Sequence, residues 1–408
     1  FYPVQASLLD TPVVPPSPLI HNPSLLPTGE TISEDEKDVV KFVVNEIERL
    51  WNAAKNPIVL VDACAVRFGV SHLVKDFVAA TQVKYFSTPM GKGALDEDFV
   101  KGFGGVYIGD ITNEDVKASV EATDLAILVG SLKSDFNTGE FSYPFKTSEM
   151  VELHSDHTIV QYATYPAVSF HTVLPVLTRT LKPKAVEATA AHAGLVRKIP
   201  EGDANGVIRQ EAFWPMWGNF FQENDIILAE TGTSAFGMID VPLPKGATFI
   251  SQTLYGSIGY AAGSLLGALK AAEEANVKRR TILFIGDGSL QLTVQEISTM
   301  IKFGLKPIIV ILNNDGYVIE RLIHGMNTVY NDISRWKWQE LLSFFNADNV
   351  PNRSWLAKTR AEFEQVLVNP EFAAADRIQV LEVLMDRHDG PRALVAQAKL
   401  SADLNAAA

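Results

Sequence analysis

Short apolar, β-branched runs alternate along the chain with longer stretches whose apolar positions recur at helical spacing. In the first half the runs are "NPIVLVDA", "VKYFSTP", "DLAILVGS" and "MVELHSD"; in the second they are "DIILAETG", "TFISQ", "TILFIGDG", "KPIIVILNNDG" and "RIQVLEVLMD". Runs apolar on both faces, separated by helical patterns, predict parallel sheets with crossover helices. The alternation predicts two doubly wound α/β domains, at about 31–180 and 213–408. A proline-rich linker at 1–30 precedes them, and an Ala/Lys-rich and then Gly/Asn/Pro-rich connection at 181–212 joins them. In "SEDEKDVVKFVVNEIERLWNA", Ser33 and Glu36 have capping-box spacing, which predicts a helix over about 34–54. Gly259, Gly263 and Gly267 recur every fourth residue in "SIGYAAGSLLGALKAAEEA", which predicts close packing of a bare helix face. The tail "ALVAQAKLSADLNAAA" predicts a terminal helix.

Composition narrows the function classes. With 408 residues there is sequence for two cores. A net charge of -13 disfavours a nucleic-acid or anionic-membrane partner. The apolar runs fall far short of the roughly 20 residues that span a bilayer. Cys64 is the single cysteine, so no intrachain disulfide framework is possible, and a reducing, cytoplasmic location is expected.

Two strand ends carry the most telling chemistry. Gly286-Asp287-Gly288 closes one run, and Asn313-Asn314-Asp315-Gly316 closes the next, with 24 residues (289–312) between Gly288 and Asn313. That distance holds one helix and one strand, so both loops fall beyond the carboxyl edge of the same sheet, where ligands bind. Glycines let the backbone approach a bulky anion, and oxygen donors suit a hard cation such as Mg²⁺ that shares phosphate ligands. Singly, each segment is turn chemistry. Together, at this distance, they resemble the signature of thiamine diphosphate enzymes.

On these residues the chain resembles the thiamine diphosphate-dependent 2-oxo acid decarboxylases, in particular the fungal pyruvate decarboxylases. "TPMGKG", "GGVYIGD", "SDFNTG", "HSDH", "AETGTSAFG", "LYGSIGY" and "LNNDGYVIERLIHG" follow that family's sequence in order. The resemblance implies that 31–180 is the family's middle domain and 213–408 its diphosphate-binding domain. It implies that Asp287, Asn314 and the Gly316 carbonyl hold Mg²⁺, while Gly288 and Ser289 meet the diphosphate. Thr233, Gly256 and Ile258 would contact the aminopyrimidine and bend the cofactor, and Ser257, Tyr317, Val318 and Ile319 would line it. Glu320, six residues after Asn314, would be a partly desolvated proton donor beside the reacting carbon, with Thr231 lining the same pocket.

The same resemblance implies a 2-oxo acid substrate, pyruvate or one like it, and a homodimer or homotetramer with the cofactor between chains. It links Cys64 and Arg67 to activation by a second substrate molecule. Two alternatives stay open: a decarboxylase of indolepyruvate or phenylpyruvate, and a non-catalytic assembly subunit that binds cofactor. His154 and His157 have a spacing that invites a metal, but they follow a strand and read as ordinary residues. The family's N-terminal pyrimidine-binding domain, with its activating glutamate and paired histidines, has no counterpart in these residues. The expectation is that 1–408 folds but does not decarboxylate pyruvate by itself.

Overall fold

A computed structural model describes residues 34–98, 102–184 and 198–407. The expected linker at 1–30 and the Ser33 side of the expected capping box lie outside the described residues. The first predicted helix runs Glu34–Ala53 and buries Val43, Val44, Ile47 and Trp51.

The first sheet has seven strands, β1 (Pro57–Val61), β2 (Lys84–Ser87), β3 (Phe103–Val106), β4 (Leu125–Val129), β5 (Met150–Leu153), β6 (His157–Val160) and β7 (Ala163–Pro166), in the order β3-β2-β1-β4-β5-β6-β7. Both faces are covered. Val59 and Val61 pack into one apolar cluster, and Ile58 and Leu60 into another, which is why the run reads as continuously apolar. The first five strands are parallel, but β5, β6 and β7 pair antiparallel, a departure from the parallel sheet expected. The reason is local. The amide of His154 donates to the His157 carbonyl at 3.0 Å, closing a turn too short for a crossover. His154 and His157 therefore flank a turn, their rings stacked with centroids 4.3 Å apart.

The second sheet has six strands, all parallel: β8 (Ile226–Ala229), β9 (Thr248–Ser251), β10 (Thr281–Gly286), β11 (Ile308–Asn313), β12 (Asn352–Ala357) and β13 (Ile378–Leu384), in the order β12-β13-β11-β10-β8-β9. Ile227, Phe284 and Val310 face one core, and Leu228, Leu283 and Ile309 the other. After β8 the chain goes first to one side, to β9, and then to the other, to β10. That reversal opens a crevice beyond the carboxyl ends of β8 and β10. Strand β12 has no counterpart among the predicted runs. It is an edge strand of mixed polarity, with the Arg353 guanidinium 5.0 Å above the Trp355 ring.

Three further features differ from, or refine, the sequence picture. Gly263 and Gly267 do not pack closely: a Cβ at either would meet open space, and Gly259 caps the Tyr260–Glu274 helix with φ +83°. The predicted terminal helix is present as Arg392–Ala407. From residue 200 the connection is docked on the second unit: Arg360 donates to the Pro200 carbonyl at 2.7 Å, and Ile208 bridges Met385.

The two units share buried surface. Phe236, Ile239, Val318, Ala393 and Leu394 of the second unit join the core of the first, and Phe136 meets Phe236 edge-on at 5.9 Å. Beside them lies an ion pair with side chains only 1% and 2% exposed, Lys92 Nζ to Glu97 at 3.0 Å. Lys92 also donates to the Val241 carbonyl at 2.8 Å, and Glu97 accepts from the Leu243 amide at 2.8 Å. Removing one member of such a pair strands the other charge in a dry interior. Lys92→Met is therefore expected to lose on the order of 3–5 kcal/mol of stability in urea unfolding, whereas a loss below about 1 kcal/mol would place the strength of the junction elsewhere.

Candidate active site

Three strand ends of the second sheet meet at the crevice. Beyond β8 come Glu230, Thr231, Gly232 and Thr233; beyond β10 come Asp287, Gly288 and Ser289; beyond β11 come Asn314, Asp315 and Gly316. Asp287, Ser289 and Asn314 are buried polar side chains. The Asp287 carboxylate accepts from the Gly288 amide at 2.9 Å and the Gly316 amide at 3.3 Å. Burial pushes its pKa up to about 7, against the opposing pull of these backbone donors. A buried carboxyl so raised lacks a countercharge.

The Asn314 side chain supplies the next observation. One terminal atom of its amide lies where it is 3.2 Å from Asp287 Oδ1 and 2.8 Å from the Gly316 carbonyl oxygen. With nitrogen there, the amide donates to both oxygens. With oxygen there, three oxygens face one another, an arrangement that a bound cation would hold together. Neighbouring ligands of an octahedral Mg²⁺, with bonds of about 2.1 Å, stand about 3 Å apart. The three donors thus fit a small divalent cation. Among the described residues no cluster of three His, Cys, Asp or Glu side chains could hold a metal; this set uses one carboxylate with amide and carbonyl oxygens instead. The loop bends to present them, with φ +61° at Asp315 and +129° at Gly316. A Cβ on Gly316 would overlap the Asn331 carbonyl oxygen.

Next to this set, the missing side chain of Gly288 lets the Tyr317 ring pack against its backbone. A Cβ there would stand 2.6 Å from the Tyr317 ring, whose hydroxyl is 3.5 Å from the Gly288 carbonyl oxygen. On the other side, the Thr231 hydroxyl lies 3.0 and 3.3 Å from the carbonyls of Gln252 and Ser257, the acceptors open to its one hydrogen. Thr233 is buried at the start of the Thr233–Met238 helix. Gly256 is adjacent to Thr231, and Gly232 to Ile319. Ile258 is 40% exposed, so it is not a core residue. Ser257 is exposed. Val318 points away into the shared core, with Ile319 packed against it.

Glu320 lies in the first turn of the Val318–His324 helix. Its side chain is 44% exposed and 3.4 Å from His324 Nε2, so the partial desolvation expected of it is not realised in this chain alone. Cys64 and Arg67 sit on the Ala63–Arg67 helix of the first unit, away from the crevice. Burial pushes the Cys64 thiol up, outweighing the pull of Arg67, which is not the setting of an activated thiolate.

Sequence reasoning missed Glu230. This carboxylate is 1% exposed and accepts from the amides of Thr231, Gly259 and Ala261 at 2.8, 3.1 and 3.1 Å, tying the loop that carries Ile258 to the end of β8. Burial raises its pKa and those donors lower it. Its signal was available: a carboxylate closing the apolar run "IILAE". His324 was also missed, although Glu320 and His324 stand four residues apart, one helical turn.

Comparison with known proteins agrees with this geometry. The family description "Thiamine pyrophosphate enzyme, central domain" matches residues 44–174, and "Thiamine pyrophosphate enzyme, C-terminal TPP binding domain" matches 230–342. The chain is 45% identical to a pyruvate decarboxylase of Candida glabrata over 404 residues, covering 98% of this chain and 70% of that protein. It is 44% identical to pyruvate decarboxylase isozyme 1 of Saccharomyces cerevisiae over 409 residues, with the same two coverages. The crystal structure of benzoylformate decarboxylase from Polynucleobacter necessarius superimposes with a TM-score of 0.67 at 17% identity, over 87% of this chain and 65% of that one; at that identity the likeness concerns the fold. The two α/β units, their crevice and these relatives together show that the chain belongs to the thiamine pyrophosphate enzymes, within the family that holds the fungal pyruvate decarboxylases.

Proposed function

We propose that this chain forms the middle domain (31–180) and the diphosphate-binding domain (213–408) of a pyruvate decarboxylase, which releases CO₂ from pyruvate and yields acetaldehyde. The observation that carries the reading is the convergence of Asp287, Asn314 and the Gly316 carbonyl beside the Gly288–Ser289 turn. Asp287, Asn314 and Gly316 would hold Mg²⁺, and Gly288 and Ser289 would receive the diphosphate. When bound, thiamine diphosphate supplies a nucleophilic carbon and an electron sink for the departing CO₂. Thr231, Thr233, Gly256, Ser257 and Ile258 flank the crevice on one side, and Tyr317 and Ile319 on the other, where they would orient a ligand; Val318 supports that side from the shared core instead of lining it. Glu320 would hold the proton delivered to the product-forming carbon.

The named relatives support pyruvate as the substrate. No helix of the described residues is long and apolar enough to cross a membrane, which is compatible with a cytoplasmic enzyme. A homodimer or homotetramer with the cofactor between chains would bury the exposed Tyr255, Ile258 and Tyr260 that border the crevice. For Cys64 and Arg67, only the exposure of Arg67 favours a second substrate molecule.

The test supplies the pyrimidine-binding domain of a fungal relative to residues 1–408, together with thiamine diphosphate and Mg²⁺, and follows acetaldehyde through a coupled alcohol dehydrogenase. Acetaldehyde from pyruvate, at a rate above CO₂ release from phenylpyruvate, is expected. The opposite preference would assign a larger 2-oxo acid, and cofactor binding without turnover of either would make the chain an assembly subunit.

A further inference from the structure

Arg321 is the residue after Glu320, and its side chain is 0% exposed. A fully buried guanidinium is expensive unless its hydrogen-bonding and charge are satisfied. Its partners are backbone carbonyls and one carboxylate: the Asp315 carbonyl at 2.8 Å, the Asn331 carbonyl at 3.3 Å and Asp332 Oδ1 at 2.7 Å from one nitrogen, and the Met326 carbonyl at 3.3 Å from another. Its Nε has no partner.

The two carbonyls on the first nitrogen matter most, because they govern the peptide groups on either side of Gly316. The Asp315–Gly316 peptide is held at both ends, its carbonyl by Arg321 and its amide by Asp287 at 3.3 Å. The Gly316–Tyr317 peptide turns its carbonyl oxygen toward Asn314, while its amide donates at 3.1 Å to the Asn331 carbonyl that Arg321 also holds. Asp315 and Gly316 both have positive φ, so this conformation needs outside support. Around it the charges are matched: Arg335 binds Asp315 at 2.7 Å, and Arg387 joins Arg321 on Asp332. Asp315 and Asp332 are both held below the usual carboxylate range, chiefly by Arg335 and Arg321 respectively.

We propose that Arg321 is a positioning residue of the metal site: it fixes both peptide groups flanking Gly316 and thereby sets the Gly316 carbonyl as the third oxygen beside Asp287 and Asn314. This rests on the reading that those three oxygens hold a divalent cation. Because Arg321 belongs to the same turn as Glu320, it also ties the metal loop to the helix that carries the proton donor. Outer partners of metal ligands typically contribute 10- to 100-fold in metal affinity. Mg²⁺ demands near-ideal octahedral geometry and Ca²⁺ tolerates irregular sites, so a loosened Gly316 carbonyl penalises Mg²⁺ selectively.

The experiment titrates Mg²⁺, and separately Ca²⁺, into residues 1–408 with saturating thiamine diphosphate, for the unsubstituted chain, Arg321→Gln, Arg321→Lys, Asp332→Asn and, as control, Asp287→Ala. Arg321→Gln is expected to weaken Mg²⁺ by 10- to 100-fold and Ca²⁺ by several-fold less. Arg321→Lys, with one point charge in place of a fork, should fall between it and the unsubstituted chain. If Arg321→Gln does not fold, Arg321→Lys and Asp332→Asn, whose Asp332 side chain is 45% exposed, carry the test in the same direction with smaller losses. Unchanged Mg²⁺ affinity in the folded variants, or equal losses for both cations, overturns the proposal provided that Asp287→Ala has lost binding. If Asp287→Ala binds as the unsubstituted chain does, or if that chain takes up no metal, the reading of the site fails and Arg321 has nothing to position.

Discussion

Asp287→Ala is expected to abolish Mg²⁺-dependent binding of thiamine diphosphate while leaving the fold intact. The substitution removes the one charged oxygen of the three that converge between β10 and β11. The remaining amide and carbonyl oxygens are neutral dipoles, unable to offset dehydration of Mg²⁺, a cation that gives up water reluctantly. Without the cation, the diphosphate would face buried oxygens with no countercharge. Stability should hold or rise, because burial already pushes the Asp287 pKa up to about 7: a raised acid pKa means that stability is lost as pH climbs through that range, and alanine removes the loss. Calorimetry gives the answer, with cofactor affinity in the variant expected to be independent of added Mg²⁺. Affinity equal to that of the unsubstituted chain would remove the metal from this loop.

Glu320→Gln should act on a different quantity. It keeps the shape of the side chain and its place in the first turn of the Val318–His324 helix, and it removes the proton. Turnover in the assembled enzyme is expected to fall by about 10²- to 10⁴-fold, the usual contribution of a positioned acid or base, with cofactor affinity unchanged, since Glu320 is not among the converging oxygens. Loss in kcat without loss of binding separates a group that acts in the reaction from one that holds the ligand. The 44% exposure of the side chain and its 3.4 Å approach to His324 mean that a second surface must close over it before it can work in a dry site. Near-normal turnover would return Glu320 to the role of a solvated helix charge.

How far the sequence could be read depended on what each segment buries. The central strands were legible because both faces are covered, so runs such as Ile308–Asn313 carry almost no polar position. The edge strand Asn352–Ala357 was hidden by having both faces only partly buried, and the antiparallel turn between His154 and His157 looked like the start of another crossover. At the site, the paired glycines and Asn-Asn spacing revealed Asp287, Asn314 and Gly316, because ligand chemistry restricts residue type there. Arg321 was invisible for the opposite reason: its partners are mostly backbone carbonyls of residues 315, 326 and 331, and a carbonyl leaves no mark on the sequence. Gly263 and Gly267 show a further limit, since a small-residue face marks an approach surface without saying what approaches.

The most direct measurement is a crystal structure of residues 1–408 grown with thiamine diphosphate and Mn²⁺, with the metal placed by its anomalous scattering. The expected result is one peak bonded to Asp287, the Asn314 amide oxygen and the Gly316 carbonyl, with the diphosphate against Gly288 and Ser289. A diphosphate bound with its metal away from these three oxygens would contradict it.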